Sequence, residues 1–270
     1  MEKEKLEAIK QWTNDPCGAV YSEDYEEGSK EFFEAVLKYR HEVYSPWLKK
    51  LIEEQDIEGK TVLELGCGLG SDLLCFAKKG AKVIGLDLTP RHIELAKKLF
   101  DTFGFPADFI IGDAECMSLP SESVDVVYSF GVLHHTPNIE KAISEIHRVL
   151  KPGGLAIVGL YHKNSWHYWV NLIFLQGIFQ RKLFKMSIAE LLSSSVEFSR
   201  SGAKPLVKVY TSSQCKRLFT KFTAVKIKKY QWAKEQIYFP WIFSRITKYL
   251  PVFLPSFLGW YIMVFARKSR

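Results

Sequence analysis

Three glycines within five residues, Gly66, Gly68 and Gly70, follow directly on the apolar run Lys60-Thr-Val-Leu-Glu-Leu, and Ser71 to Lys79 then carry a helical pattern. The order is strand, glycine turn, helix. Glycines at the tip of a buried first strand let a ligand approach the backbone where no β-carbon obstructs it. A nucleotide-like ligand is expected there. The spacing argues against a dinucleotide fingerprint, because the third glycine of Gly66-Cys-Gly68-Leu-Gly70 comes one residue too early for G-x-G-x-x-G.

The rhythm continues downstream. Lys82 to Asp87 reads as a second buried strand, and Thr89-Pro90 as an N-cap with Pro at the first helical position. That helix runs until Gly104 stops it. Asp108 to Gly112 and Ser123 to Phe130 read as strands, Ile139 to Leu150 as a helix ended by Lys151-Pro-Gly-Gly, and Leu155 to Tyr161 as the next strand. Five buried strands separated by helices predict an α/β fold with a doubly wound, mostly parallel sheet. Upstream, residues 30 to 55 predict two short helices, the second opened by Ser45-Pro46. Downstream, Ala224 to Lys228 and the run 258 to 266 are the remaining strand candidates.

The chain of 270 residues is 47% hydrophobic and 25% charged, the balance of a folded domain with elaborations. The expected division is an N-terminal helical lid segment at 1–58, a ligand-binding core at 59–163, a substrate-covering insertion at 164–210 and the C-terminal part of the sheet at 211–270. Five cysteines form no C-x-x-C pair, which disfavours a disulfide framework or zinc knuckle and fits a reducing compartment. The charged start MEKEKLEAIK has no apolar core of a secretory signal, so a cytoplasmic location is expected. Residues 249 to 266 carry no charge, but Pro251 and Pro255 favour a loop and a buried strand over a membrane-spanning helix.

Two acids stand at successive strand tips. Asp87 follows Gly66 by the interval at which a carboxylate accepts hydrogen bonds from ribose hydroxyls, and Asp113, beside Ala114, could accept one from an adenine amino group. That pair suits an adenosine without phosphate. Val62 to Asp72, Val83 to Asp87, Gly112 to Pro120, Val124 to His135 and Arg148 to Gly154 together resemble, in order, the motifs of class I S-adenosylmethionine-dependent methyltransferases, nearest the type-11 group that includes ubiquinone and menaquinone methyltransferases.

The resemblance covers residues 60 to 160 and implies S-adenosyl-L-methionine as cofactor, with a Rossmann-like seven-stranded sheet whose last strand is antiparallel. It implies that Glu64, Gly66, Cys67, Gly68 and Gly70 line the methionine side, that Asp87 and Leu88 hold the ribose, and that Asp113 and Ala114 hold the adenine. Phe130, His134 and His135 would lie under the sulfonium or face the acceptor, and Arg40 could reach the cofactor carboxylate from the lid. His134 and His135, as adjacent residues of an extended segment, point opposite ways, so one of them should face the pocket. Tyr161 and His162, at the tip of the fifth strand, are further catalytic candidates.

The acceptor is expected to be a small, apolar metabolite, methylated on oxygen, nitrogen, carbon or sulfur. Residues 201 to 270 hold fourteen Lys and Arg against one acid, Glu235. With Trp241, Ile242, Arg245, Ile246, Tyr249 and Leu250 at interfacial-helix spacing, that basic C-terminal segment suits an anionic membrane surface, and so a peripheral-membrane quinone or lipid methyltransferase is the alternative. Nucleic acid is disfavoured, since no recognition-module signature accompanies the basic residues. A non-catalytic module that keeps the cofactor fold is the reading from another class.

Overall fold

The computed structural model describes residues 2–197, 199, 201–231 and 258–270. The interfacial helix expected over Trp241 to Leu250 lies outside the described residues. Seven strands form one sheet in the order β3-β2-β1-β4-β5-β7-β6. They are β1 (Thr61–Leu65), β2 (Lys82–Asp87), β3 (Asp108–Ile111), β4 (Val124–Phe130), β5 (Leu150–Tyr161), β6 (Thr223–Tyr230) and β7 (Tyr261–Arg267). Only β7 runs against its neighbours, pairing antiparallel with β5 and β6. The expected doubly wound sheet is therefore present, including the reversed last strand.

Alternation along the central strands divides the core in two. Val62, Val126, Tyr128 and Ile157 face one side, under α2 (Lys30–Lys38), α3 (Pro46–Glu53), α4 (Ser71–Lys78) and α5 (Pro90–Phe103). Leu63, Leu65, Val127 and Val158 face the other, against α6 (Ile139–Val149) and α8 (Ser212–Leu218). Both faces are covered, so the strands are apolar on both sides, as parallel strands must be. The strand order reverses at β1, between β2 and β4, and that switch point opens a crevice at the strands' carboxyl ends.

The structure departs from the sequence reading in several places. A helix α1 (Lys3–Asn14) precedes the two expected ones, and the second of those begins only after a π-helical turn, Tyr39–Tyr44. At α3 and α5 the prolines do stand at the first turn, but neither Ser45 nor Thr89 caps its helix through the side chain. Ser45 instead donates its hydroxyl to Gln231, and the Thr89 amide donates to Asp87. β5 begins at Leu150, not Leu155, because Leu150 pairs with Val124 and the Pro-Gly-Gly segment is held by Gly153 donating to the carbonyl of Lys268. β7 begins at Tyr261 rather than 258, and β6 runs to Tyr230. A helix α8 was not foreseen, although Thr211 and Gln214 form a reciprocal capping box at its start.

In the insertion, a π-helix, His167–Phe179, is followed by a short 3-10 turn and α7 (Ile188–Val196). All five cysteines are free thiols. Among the described residues, no helix is long and apolar enough to cross a membrane.

Candidate active site

One cavity of about 380 Å³ occupies the crevice at the switch point, under α1 and the π-helical turn. Its floor is the glycine turn. Gly66 and Cys67 both donate to the carbonyl of Leu86, at 2.7 and 3.2 Å, and Gly68 donates to Asp87 Oδ2 at 2.9 Å. Gly66 has a φ of +67°, and a β-carbon there would lie 2.2 Å from Val132 Cγ2. No other residue fits. Gly70, with φ +82°, starts α4 and does not line the cavity.

Four buried or half-buried acids surround this floor. Glu64 is 4% exposed, and its Oε2 has no partner among the described residues. Burial pushes its carboxyl well above the ordinary range, and the neighbouring Asp72 charge adds to the effect. Asp87 accepts from the amides of Thr89 and Gly68 and stands 3.2 Å from His92 Nδ1. Burial opposes its ionisation, but His92 and the two amides outweigh that and hold its carboxyl below the usual range. Asp113 accepts from the amide of Glu115 and lies 2.7 Å from Lys5 Nζ, so α1 is pinned to the tip of β3.

The fourth acid is Asp72, the last residue of the first motif. It is 2% exposed and takes Arg40 through Nε and Nη2 at 3.1 and 2.6 Å, His41 at 3.0 Å and the Tyr128 hydroxyl at 2.9 Å. Arg40 therefore lines the cavity with two of its nitrogens already committed to Asp72, and its guanidinium lies over the Phe130 ring, 4.9 Å from the centroid. Burial works against the Asp72 charge, but Arg40 and His41 hold its carboxyl far below the usual range.

The opposite wall is aromatic with one polar end. Phe130, Tyr161 and Tyr261 pack together at 4.6 to 5.4 Å, and Tyr44 meets Tyr261 hydroxyl to hydroxyl at 2.5 Å. Tyr161 donates its hydroxyl to Glu197 Oε1 at 2.8 Å. His135 Nδ1 lies 2.6 Å from the carbonyl of Leu206, and its Nε2 faces Glu197 at 3.4 Å. Burial opposes the charge on Glu197, yet His135 and Tyr161 keep its carboxyl below the ordinary range.

Of the expected site residues, Glu64, Gly66, Cys67, Gly68, Asp87, Leu88, Asp113, Ala114, Phe130, His135, Tyr161 and Arg40 meet around this one space. His134 and His162 are outside its wall. His134 is fully buried against Tyr161, ring centroids 3.7 Å apart, and burial pushes its imidazole well below the ordinary value. His162 is 1% exposed and turns its Nδ1 to the carbonyl of Gly259. Two residues were not singled out from the sequence. Asp72 was inside a quoted motif, but its partners Arg40 and His41 lie 32 and 31 positions upstream and Tyr128 lies 56 downstream. Glu197 belongs to no motif; the only local signal is the Ser187-x-x-Glu190 capping box that starts α7, the helix that Glu197 follows.

Residues 63–158 match the methyltransferase domain family. An uncharacterized methyltransferase of Synechocystis is 36% identical over 126 residues, 45% of this chain and 57% of that protein. The sterol 4-C-methyltransferase of Caenorhabditis elegans is 39% identical over 98 residues, 36% of this chain and 29% of that protein. The alignments thus span little more than half, or less, of these relatives. Among solved structures, a chain from the complex between the Haloferax volcanii Trm112 methyltransferase activator and a methyltransferase superposes with a TM-score of 0.60 at 17% identity, over 100% of this chain and 99% of that one. That likeness shows the fold. Residues 63–158 thus carry a methyltransferase domain, and that match together with the strand-tip motifs supports the class I, type-11 resemblance and its cofactor, S-adenosylmethionine.

Proposed function

We propose that this chain transfers a methyl group to a nucleophilic atom of a small, largely apolar acceptor. The observation that carries this reading is a single cavity joining the strand-tip acids to an aromatic wall with one polar end. The residues present fit S-adenosylmethionine. Glu64 keeps an unpartnered buried oxygen, Gly66 leaves a space no β-carbon could share, and Asp87 has a lone pair to spare on each oxygen. On this reading Glu64, Gly66, Cys67 and Gly68 form the methionine side, Asp87 and Leu88 hold the ribose, and Asp113 with Ala114 holds the adenine; Gly70 only starts α4. When bound, the cofactor supplies a methyl group already activated on a cationic sulfur.

The protein then has to orient a nucleophile and exclude water. Phe130, Tyr161 and Tyr261 exclude water at the acceptor end. His135 Nε2 is the proton acceptor within reach of a protonated nucleophile, since its Nδ1 hydrogen is committed to the Leu206 carbonyl. Arg40 acts through its pair with Asp72, holding the lid segment down. In this scheme residues 1–58 are the lid, 59–163 the cofactor core, 164–210 the acceptor-covering insertion and 211–270 the completion of the sheet.

A membrane-borne quinone or lipid acceptor is the second reading, favoured by Phe179 and Phe184, 77% and 80% exposed on the insertion beside Arg181 and Lys185. Calorimetry with S-adenosylhomocysteine and with NADH tests the cofactor, and mass spectrometry of cell extract incubated with isotope-labelled methyl donor tests transfer. Tight NADH binding with indifference to S-adenosylhomocysteine overturns the proposal. Cofactor binding without any labelled product points to the non-catalytic module. Salt-sensitive sedimentation with anionic liposomes distinguishes the membrane reading from the soluble one.

A further inference from the structure

The polar end of the cavity holds an arrangement that methyl transfer does not require. Both ring nitrogens of His134 are buried without a hydrogen-bond partner among the described residues, although buried polar atoms are nearly always paired. Packing against Tyr161 accounts for the position of the ring but leaves those two nitrogens unexplained. Beside it, at 4.2 Å between centroids, stands the ring of His135. A carbonyl can only accept, so the contact of His135 Nδ1 with Leu206 puts a hydrogen on Nδ1, and in the neutral ring Nε2 carries the lone pair that a metal ion would take.

His135 Nε2 stands 3.4 Å from Glu197 Oε1. A charge-assisted hydrogen bond would close to about 2.7–2.9 Å. By contrast, two ligands each about 2.1 Å from a tetrahedral ion stand roughly 3.4 Å apart. One ligand atom from each of His134, His135 and Glu197 lies within 4.8 Å of the others. The outer contacts also match a metal site: an imidazole Nδ1 on a backbone carbonyl and a carboxylate steadied by the Tyr161 hydroxyl.

We propose that His134, His135 and Glu197 bind a divalent first-row transition cation of the zinc class. Two imidazoles and one carboxylate suit such an ion better than magnesium or calcium, which prefer oxygen ligands throughout. His135 and Glu197 line the cavity, so the open coordination position faces the acceptor space, where water or an acceptor oxygen completes the shell. The two histidines follow β4 and Glu197 follows α7, so the cation ties the insertion to the sheet at the acceptor end. With the ion bound, His135 is a ligand and no longer a proton acceptor; the two roles are exclusive. Cofactor binding, at the glycine turn, is independent of this site and is measured separately.

The test is calorimetric titration of chelator-stripped full-length protein with Zn²⁺, with Co²⁺ uptake followed by visible absorption. The expected result is saturation at one equivalent, a cobalt spectrum typical of low coordination number, and weakening of at least about tenfold in Glu197→Gln and in His135→Gln. S-adenosylhomocysteine binding retained by Glu197→Gln shows that variant to be folded, which matters because His134 is too buried for its own replacement to carry the test. Stripped wild type that takes up no stoichiometric cation overturns the proposal, as does uptake equally tight in both variants.

Discussion

Two buried acids eight positions apart, one in β1 and one in the first turn of α4, carry opposite electrostatics. Glu64 keeps an oxygen without a partner among the described residues and is pushed toward its neutral form, whereas Asp72 is surrounded by Arg40, His41 and Tyr128 and stays charged. For Glu64 the folded pKa lies above the unfolded value of about 4.3, so its contribution to stability is complete below that value and is lost as the pH rises through the folded one. Glu64→Gln removes this penalty. The ligand-free variant is therefore expected to melt at or a few degrees above wild type at neutral pH, while S-adenosylhomocysteine binds about tenfold more weakly; thermal scans with and without ligand check both. Loss of stability in the ligand-free variant would mean that Glu64 is structural. For Asp72 the sign reverses. Its folded pKa lies below the unfolded value of about 3.9, so its stabilisation is complete above that value and lost as the pH falls through the folded one. Asp72→Asn leaves Arg40 buried beside a neutral group and is expected to cost about 3 kcal/mol at neutral pH. Denaturant melts over a pH series should show the gap between variant and wild type narrowing below pH of about 4.

At the scale of elements, the insertion is positioned by a few local signals. α7 opens on a capping box in which Ser187 and Glu190 satisfy each other's backbone amides, and it ends one residue before Glu197. Ser187→Ala is expected to destabilise α7 by about 1 kcal/mol. Hydrogen exchange should then quicken over residues 188 to 196 while the sheet keeps its protection; unchanged exchange in α7 would show that packing alone holds it. α8 opens on the same kind of box, from Thr211 and Gln214, and it escaped the sequence reading because seven residues with only Cys215 buried offer little hydrophobic periodicity. α1 escaped for a related reason. It buries only Ala8 and the polar Gln11, and its contacts are with residues far away in the chain: Lys5 with Asp113 and Glu115, Trp12 with His135, and Glu7 with the amide of Lys204.

For the whole molecule, α1 and the sheet are separable in energetic terms. The two core clusters draw on the strands, on α2 to α8 and on the π-helix of the insertion, whereas α1 contributes no residue to either. Removal of residues 1–14 is expected to leave the far-ultraviolet circular dichroism of the sheet intact and to weaken S-adenosylhomocysteine binding by about tenfold, because Lys5, Ala8 and Trp12 form one wall of the cavity. Undiminished affinity would remove α1 from the binding site. The positions of the five central strands, the glycine turn and the acids at the strand tips were readable from the chain, because each depends on neighbours within a few residues: alternation, a positive φ, a carboxylate closing a strand. The reversed seventh strand was legible only through resemblance. Which histidine faces the cavity, what Arg40 binds, and the entry of Glu197 into the site were decided by tertiary packing. Those contacts join residues 31 to 71 positions apart, and the free energy of such a meeting depends on burial and partner, quantities that no local pattern encodes.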